Sequence, residues 1–392
     1  MKCGKVDNRK LKIVHCLQDM NVGGAQTLVK EYCEFMDRDR FDISIVCISD
    51  CDSPYDKYLR EMGIKVFYLN NIVDNNIRCP KFLKRLIRVL ARPYIFEDIL
   101  VQEKPDVIHG HIYMNRLIYR VSKVINAQYY YTVHTDPVRL WYGNKIANKE
   151  RKATKKLIHN NMQLIVLHNE MRIKVNEIFS IESARIIKNG VNVRKISNAV
   201  SKNVLRKEYG ILDDNKVIIH IGRFHKVKNH EFLLRIFNEM VKKDEDYKLW
   251  LVGDGELRSQ IEKKVYDFHL ENKVIFWGIR TDTDKLLQMS DMMIFPSFTE
   301  GVSLTLIEAQ VAKIPIVMSD TINSENIISN IVVAKSLDEG EVKWAEEAME
   351  LINRKGNVIY DKLDDWNIEN IVKELENVYL RNYRHIKLKQ GK

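Results

Sequence analysis

FPSFTEGVSLTLIEAQ, Phe295 to Gln310, decides how this chain of 392 residues is read. The apolar run Met292-Met293-Ile294-Phe295 reads as a buried strand. Pro296, Ser297 and Gly301 break it, and Ser303 stands as the N-cap of a helix through Ala312. Glu300 then lies on the loop beyond the strand's carboxyl end, and Glu308 in the second helical turn. In an open α/β sheet that crevice is where ligands bind. Unpaired N–H groups at the helix start favour a phosphate there. Two acids beside an anion site make sense if they grip neutral hydroxyls, which points to a ligand joining phosphate to polyol, such as a nucleotide sugar. Either Glu alone reads as a solvated surface residue; the whole string carries the inference.

Outward from that stretch, apolar runs alternate with helical segments. Strands are expected at LKIVHCLQ (11–18), FDISIVCI (41–48), KVFYL (65–69), DVIHGH (106–111) and QYYYTVH (128–134). A second series starts at NKVIIHIGRF (215–224) and continues with YKLWLVGDG (247–255), KVIFWG (273–278), MMIF (292–295) and PIVMSD (315–320). Such alternation predicts two doubly wound parallel sheets. The boundary is expected near 195–212, where no strong apolar pattern appears, giving domains of about 1–200 and 201–366.

Hydrophobic content of 45% and charged content of 30% describe an ordinary globular chain. No stretch reaches the roughly 18 apolar residues needed to cross a bilayer, and MKCGKVDNRKLKIVHCLQ carries no signal-peptide pattern. Six cysteines, Cys3, Cys16, Cys33, Cys47, Cys51 and Cys79, form no C-x-x-C pair and read as free, mostly buried thiols of a cytosolic protein. Charge is lopsided. Residues 1–210 hold 37 Lys and Arg against 22 Asp and Glu, whereas residues 211–392 hold 26 against 31. The basic half therefore faces an anionic partner.

That half contains KFLKRLIRVLAR, 81–92. At helical spacing Phe82, Leu83, Leu86, Ile87 and Leu90 share one face, and Lys81, Lys84, Arg85, Arg88 and Arg92 the other. Such a helix can lie on an anionic membrane surface, or turn its apolar face to the core and leave a solvated basic back. A second basic run, KIANKERKATKK, spans Lys145 to Lys156. No nucleic-acid module or zinc-finger spacing accompanies either run, so no nucleic-acid partner is expected.

Further motifs follow strand ends. Gly23-Gly24 comes after the first strand, GRFHKVKNH supplies Arg223 and Lys228, and VGDGE supplies Gly253. KNGVN (188–192) precedes the linker, with Gly190 expected at positive φ. DVIHGH offers His109 and His111, and TVHTD offers His134. His109 is expected to point the other way along its strand and to be structural. Alone, a G-x-G is only a tight turn, and each charge or histidine has a structural reading. No His, Asp and Cys set at ligand spacing predicts a metal.

Together, E-x7-E (Glu300, Glu308), G-R-F-x3-K-N (Arg223, Lys228), the G-x-G near Gly253, N-G-V-N and Gly23-Gly24 resemble the retaining glycosyltransferases of family 4, which have the GT-B fold. The phrasing FPS-x3-EG-x-SLTLIEAQ followed by IPIVMSDTI is most similar to the capsular and exopolysaccharide branch. The resemblance implies two Rossmann-like domains facing across a cleft, with the last helix, about 367–392, crossing back to the first. It implies that Arg223 and Lys228 bind the donor diphosphate, that Gly23, Gly24, Gly253, Gly301, Val302, Ser303 and Leu304 line the donor site, and that Glu308 meets the ribose and Glu300 the hexose. It places His111 beside the transferred sugar and His134 near sugar or acceptor. It further implies a UDP-sugar donor, no cofactor, no metal, and a lipid-linked oligosaccharide acceptor at the cytoplasmic membrane face. Gln26 stands where many relatives have Glu, and Lys313 where they have a helix-ending Gly, at roughly 1 kcal/mol of strain. A nucleotide-sugar epimerase of the same fold, a hydrolase using both carboxylates, and a non-catalytic partner subunit are the rival readings.

Overall fold

Leu11–Leu17 (β1) is buried at every position except Lys12, which is part-exposed. A strand covered on both faces needs such an unbroken apolar run, and a parallel sheet between helix layers supplies the cover. In the computed structural model, which describes residues 9–76, 80–197, 200–211, 215–354 and 356–390, β1 lies at the centre of a sheet. Its companions are Phe41–Cys47 (β2), Lys65–Tyr68 (β3), Val107–His111 (β4), Gln128–Thr132 (β5), Gln163–Val166 (β6) and Arg185–Ile186 (β7). The order is β3-β2-β1-β4-β5-β6-β7, with every pair parallel. A second parallel sheet runs β10-β9-β8-β11-β12-β13. Its strands are Lys216–Ile221 (β8), Tyr247–Val252 (β9), Val274–Gly278 (β10), Met292–Phe295 (β11), Ile316–Ser319 (β12) and Val332–Lys335 (β13). β6, β7 and β13 were not among the expected strands.

Each sheet has an apolar layer on either face. In the first, helices Gly24–Phe35 and Ile368–Gln390 cover one side through Leu28, Tyr32, Leu375 and Tyr379. Phe96 and Leu100 from helix Lys81–Glu103 help cover the other. In the second, Leu233 and Phe237 pack on one face, and Leu286 and Leu306 on the other. In both sheets the order reverses beside the central strand, between β1 and β4 and between β8 and β11. A crevice opens at the carboxyl ends of strands at such switch points.

The chain forms two units, Met1–Asn189 with Ile368–Lys392, and Gly190–Asn367. The division thus falls before the 195–212 stretch. Ile196 packs with Ile307, Val311 and Trp366, and Arg206 Nε donates to the Met289 carbonyl at 3.0 Å, so both segments belong to the second sheet's surroundings. The last helix does return to the first unit. Gly190 does not take positive φ. The backbone there is held instead by Val191, whose N–H donates to the Trp366 carbonyl at 2.8 Å. Lys313, by contrast, has φ of 62°, the left-handed helix end that its position demanded.

Helix Lys81–Glu103 departs from the core-facing reading of its sequence. Leu86 and Leu90 are 57% and 62% exposed, and Leu83, Val89 and Tyr94 are exposed as well, so that face is not in the core. Nor is the basic side freely solvated. Arg88 pairs with Asp74, and Arg92 Nε donates to Asn70 Oδ1 at 2.9 Å, both partners on the preceding helix Leu69–Asn76. The side chains of Lys81 and Phe82 lie outside the described residues. Cys16, Cys33 and Cys47 are buried free thiols and Cys51 is half-buried; Cys3 and Cys79 lie outside the described residues. Among the described residues no helix is long and apolar enough to cross a membrane.

Candidate functional site

In the second unit, three loops meet at the carboxyl ends of β8, β9 and β11. Gly222 N donates to the Val252 carbonyl at 2.9 Å, and Phe224 N to the Asp254 carbonyl at 3.0 Å, laying one loop backbone against the next. Gly253 permits this contact. Its φ is 130°, and a Cβ there would stand 2.2 Å from the Gly222 carbonyl oxygen. The Lys228 stem crosses Gly222, where a Cβ would come 3.0 Å from Lys228 Cε.

The Lys228 ammonium stands 2.8 Å from Glu300 Oε1 and 4.5 Å from the Phe295 ring centroid. The Glu300 contact is an ion pair by distance, with angles outside those of a hydrogen bond. Lys228 and Glu300 are 18% and 16% exposed, so the pair sits partly dehydrated at the rim, where its charges are strong but still within reach of a ligand. Arg223 is 72% exposed and donates to Glu256 Oε2 at 3.1 Å. His225 Nε2 is 3.5 Å from the other oxygen of Glu256.

The Glu300 loop is tied down by residues that the sequence did not single out. Asn326, fully buried, donates from Nδ2 to the Gly301 carbonyl at 2.9 Å and accepts from the Ser303 N–H at 2.7 Å. Gln310, also fully buried, donates to the Leu306 and Asn326 carbonyls and accepts from Ile328 N and Ser329 Oγ. Ser303 does cap the helix Leu304–Val311 by position, but its side chain makes no capping bond. Its amide, expected to be open to a phosphate, is already taken by Asn326. The helix also stops at Val311, with Ala312 as its C-cap. Glu308 lies part-exposed in that helix, and Val302 and Leu304 are part-buried. Around Gly301 there is open space, since a Cβ would meet nothing within 4 Å.

In the first unit the corresponding switch point holds Gly23-Gly24 after β1 and His111 at the end of β4. Gly23 is the N-cap of helix Gly24–Phe35, and a Cβ on Gly24 would meet nothing within 4 Å. His134 follows β5 by two residues. His109 and His111 share one face, with rings stacked at 4.4 Å between centroids. The expectation that His109 points the other way was mistaken, because side chains two apart on a strand lie on the same side. His15, opposite His109 in the β1–β4 register, completes a set of four imidazoles, of which His15, His109 and His111 are fully buried and His134 is part-exposed.

His111 Nε2 is 3.1 Å from His15 Nδ1, and His111 Nδ1 is 2.8 Å from His134 Nε2. His109 meets the Tyr379 hydroxyl at 2.6 Å and Thr132 Oγ1 at 2.8 Å. Burial pushes His15 down to about 3 and His134 to about 4, and holds His109 and His111 well below the usual range. All four are therefore neutral at pH 7, able to orient a hydroxyl but not to carry charge. His15, His109 and His111 bring one nitrogen each within 4.8 Å of one another, a spacing that can suit a metal. Both nitrogens of His109 already have hydroxyl partners, however, and the facing nitrogens of His15 and His111 already bond each other. The donor set fits a hydrogen-bonded network better than a metal cradle.

Comparison with known proteins completes the description. Residues 22–195 match the model of Glycosyltransferase Family 4, and residues 201–357 that of Glycosyl transferases group 1. EpsF of Bacillus subtilis (strain 168), named as a glycosyltransferase, is 24% identical over 87% of this chain and 88% of its own length. UDP-Gal:alpha-D-GlcNAc-diphosphoundecaprenol alpha-1,3-galactosyltransferase of Escherichia coli is 26% identical over 83% of each chain. Among solved structures, Anabaena HepE in complex with UDP-glucose superposes with a TM-score of 0.69 at 16% identity, covering 97% of this chain and 99% of its own. With two matched models spanning both parallel-sheet units, the chain belongs to the family 4 glycosyltransferases of the GT-B fold.

Proposed function

We propose that this chain transfers a hexose-type sugar, with retention and without a metal, from a UDP-sugar to a lipid-linked oligosaccharide in capsule or exopolysaccharide assembly. The observation that carries the reading is the Lys228–Glu300 pair at the β8/β11 switch point. A carboxylate suited to sugar hydroxyls and a cation suited to a diphosphate stand 2.8 Å apart, as a sugar-1-diphosphate requires. The galactosyltransferase relative is named for a UDP-sugar donor and a diphosphoundecaprenol acceptor, and HepE is bound to UDP-glucose, which supports the same donor and acceptor class here.

In this reading Arg223 and Lys228 absorb the charge that grows on the departing diphosphate. Gly301, Val302, Leu304 and Glu308 hold the nucleotide end, and Gly253 shapes the loop beside it. Glu300 fixes the hexose hydroxyls, while Gly23 and Gly24 leave the backbone open to a ligand in the first unit. His111, with His134, hydrogen-bonds to the transferred sugar. The anomeric carbon loses its phosphate oxygen and gains the acceptor oxygen on the same face. The acceptor's proton passes to the leaving phosphate, so no enzyme nucleophile is needed. Exposed Leu83, Leu86 and Leu90, flanked by Lys84 and Arg85, would rest on an anionic bilayer where such an acceptor is anchored.

The testing experiment is a thermal-shift screen of the purified protein against UDP-, GDP-, ADP- and dTDP-sugars, with and without EDTA. A ligand that binds the native state raises the midpoint by mass action. A selective UDP-sugar shift that survives EDTA is the expected result. No shift with any nucleotide sugar overturns the proposal.

A further inference from the structure

Three of the four imidazoles form one hydrogen-bonded line, His15–His111–His134, whose links measure 3.1 and 2.8 Å. Its two ends, His15 Nε2 and His134 Nδ1, are enclosed and have no hydrogen-bond partner. A neutral imidazole carries one N–H and one acceptor nitrogen. Each link therefore needs one proton, and only two arrangements satisfy both links. Either all three rings are protonated on Nδ1, or all three on Nε2. The tautomers of the three rings are coupled.

The inner end breaks the tie. His15 is fully buried, with Tyr32 and His109 as ring neighbours at 5.9 and 5.3 Å, and nothing accepts a hydrogen bond from its Nε2. Each arrangement leaves one terminal N–H, on His15 Nε2 or on His134 Nδ1. His15 is fully buried whereas His134 is part-exposed, so a ligand oxygen can supply the missing acceptor only at the His134 end. An N–H sealed away from any acceptor is the less tolerable of the two. The proton of His15 thus belongs on Nδ1, toward His111. By the same logic His111 donates from Nδ1 to His134, and the line ends with an N–H on Nδ1 of His134, beyond the carboxyl end of β5. His109 stays outside the line, with both nitrogens held by Tyr379 and Thr132, and its stacked ring steadies the plane of His111.

We propose that His15 is a positioning residue that sets the tautomer of His111 and, through it, makes Nδ1 of His134 a hydrogen-bond donor toward an oxygen of the transferred sugar. This rests on the reading that His111 and His134 meet that sugar. An apolar side chain at position 15 would pack in the same place and leave the line without a fixed direction.

The test uses the full chain with ¹⁵N-labelled histidine, free of ligand, and reads the tautomer of each ring from two-bond proton–nitrogen spectra. The expected wild-type spectrum shows His15, His111 and His134 all protonated on Nδ1. His15→Leu should give mixed tautomers at His111 and His134. It should lower turnover about tenfold, the worth of one oriented hydrogen bond, with the donor KM changed by less than about twofold. His15→Asn, whose amide N–H can stand where Nδ1–H stood, should restore both the spectrum and most of the turnover. Melting curves check that each variant folds; if His15→Leu does not, the wild-type and His15→Asn spectra decide. A wild-type His111 protonated on Nε2, or tautomers unmoved in His15→Leu, overturns the coupling itself. Shifted tautomers with unchanged turnover overturn instead the placing of His111 and His134 at the sugar, and with it the role of His15 in the reaction.

Discussion

The carboxyl ends of the two sheets are furnished in opposite ways. In the first unit the switch point carries neutral rings, His15, His109 and His111 fully buried and His134 just beyond, each held by another ring or a hydroxyl. In the second it carries formal charges, Lys228 with Glu300 and Arg223 with Glu256, that remain within reach of solvent. Desolvation accounts for the difference. A buried imidazole can give up its charge and still hydrogen-bond, whereas a lysine or carboxylate can stay ionised only where it is paired and partly wet. A sheet end built like the first can orient hydroxyls; one built like the second can also neutralise a diphosphate.

The sharpest way to break that contrast is to remove charge from the second unit. Lys228→Ala, or Glu300→Ala, is expected to cut transfer by roughly 10²–10³-fold, as when a preorganised electrostatic contact is lost. Neither side chain is fully buried, so the melting temperature should move little. His111→Asn in the first unit should cost less, on the order of tenfold. Steady-state transfer assays decide, and near-normal turnover in Lys228→Ala sinks its assignment to the diphosphate.

Next in size is acid stability. His15, titrating at about 3, and His134, at about 4, are depressed below the 6.5 of a free imidazole, as are His109 and His111. An unfolded chain would take up protons on them as pH drops below about 6.5. Their contribution is therefore fully present above that pH, and is lost as pH falls from 6.5 toward 4. His220 and His230 add the same dependence to the second unit, but with fewer rings. Native-state hydrogen exchange between pH 7 and 4.5 should show the first unit losing protection sooner, by on the order of a few kcal/mol. Equal loss in both units would erase the distinction.

How much of this was legible beforehand follows the same line. Runs such as LKIVHCL and YKLWLV are buried on both faces, and they announce central strands without any partner information. β7, two residues at the sheet edge, and β13, mostly half-buried, have no such signal. Glu300, Lys228 and Arg223 stood out because charged residues at strand ends are conspicuous in a sequence. Asn326 and Gln310 did not, because their work is to satisfy backbone groups of a segment far away in sequence, and that pairing exists only in the fold. His15 was hidden in an apolar strand. Period-two alternation, applied to His109 and His111, would have placed both on one face.

A milder contrast lies on the surface. Helix Lys81–Glu103 in the first unit leaves Leu86 and Leu90 in solvent. If that face rests on lipid, Leu86→Ser with Leu90→Ser should weaken binding to anionic vesicles by about tenfold or more, given the value of burying a leucine. The melting temperature should stay unchanged, since neither side chain contributes to the core. Vesicle co-sedimentation reads the first effect and calorimetry the second. Unchanged sedimentation would remove the membrane contact from this helix.

The smallest effect concerns backbone strain, which the two units also distribute differently. In the first, Ile112 and Tyr113 take φ of 27° and 54° directly after His111, at the sheet's carboxyl end. In the second, Lys313 takes φ of 62° two residues past the helix Leu304–Val311, at the end away from Glu300. Strain that serves a site should matter to its chemistry, and strain remote from it should matter only to stability. Lys313→Gly relieves a left-handed penalty of roughly 1 kcal/mol, less the entropy that glycine adds to the unfolded chain, so a net gain of a few tenths of a kcal/mol is expected. Denaturant titration measures the gain, and transfer kinetics should be unmoved. A change in turnover would mean that the end of this helix governs how Glu308 is presented, and would place functional strain in both units.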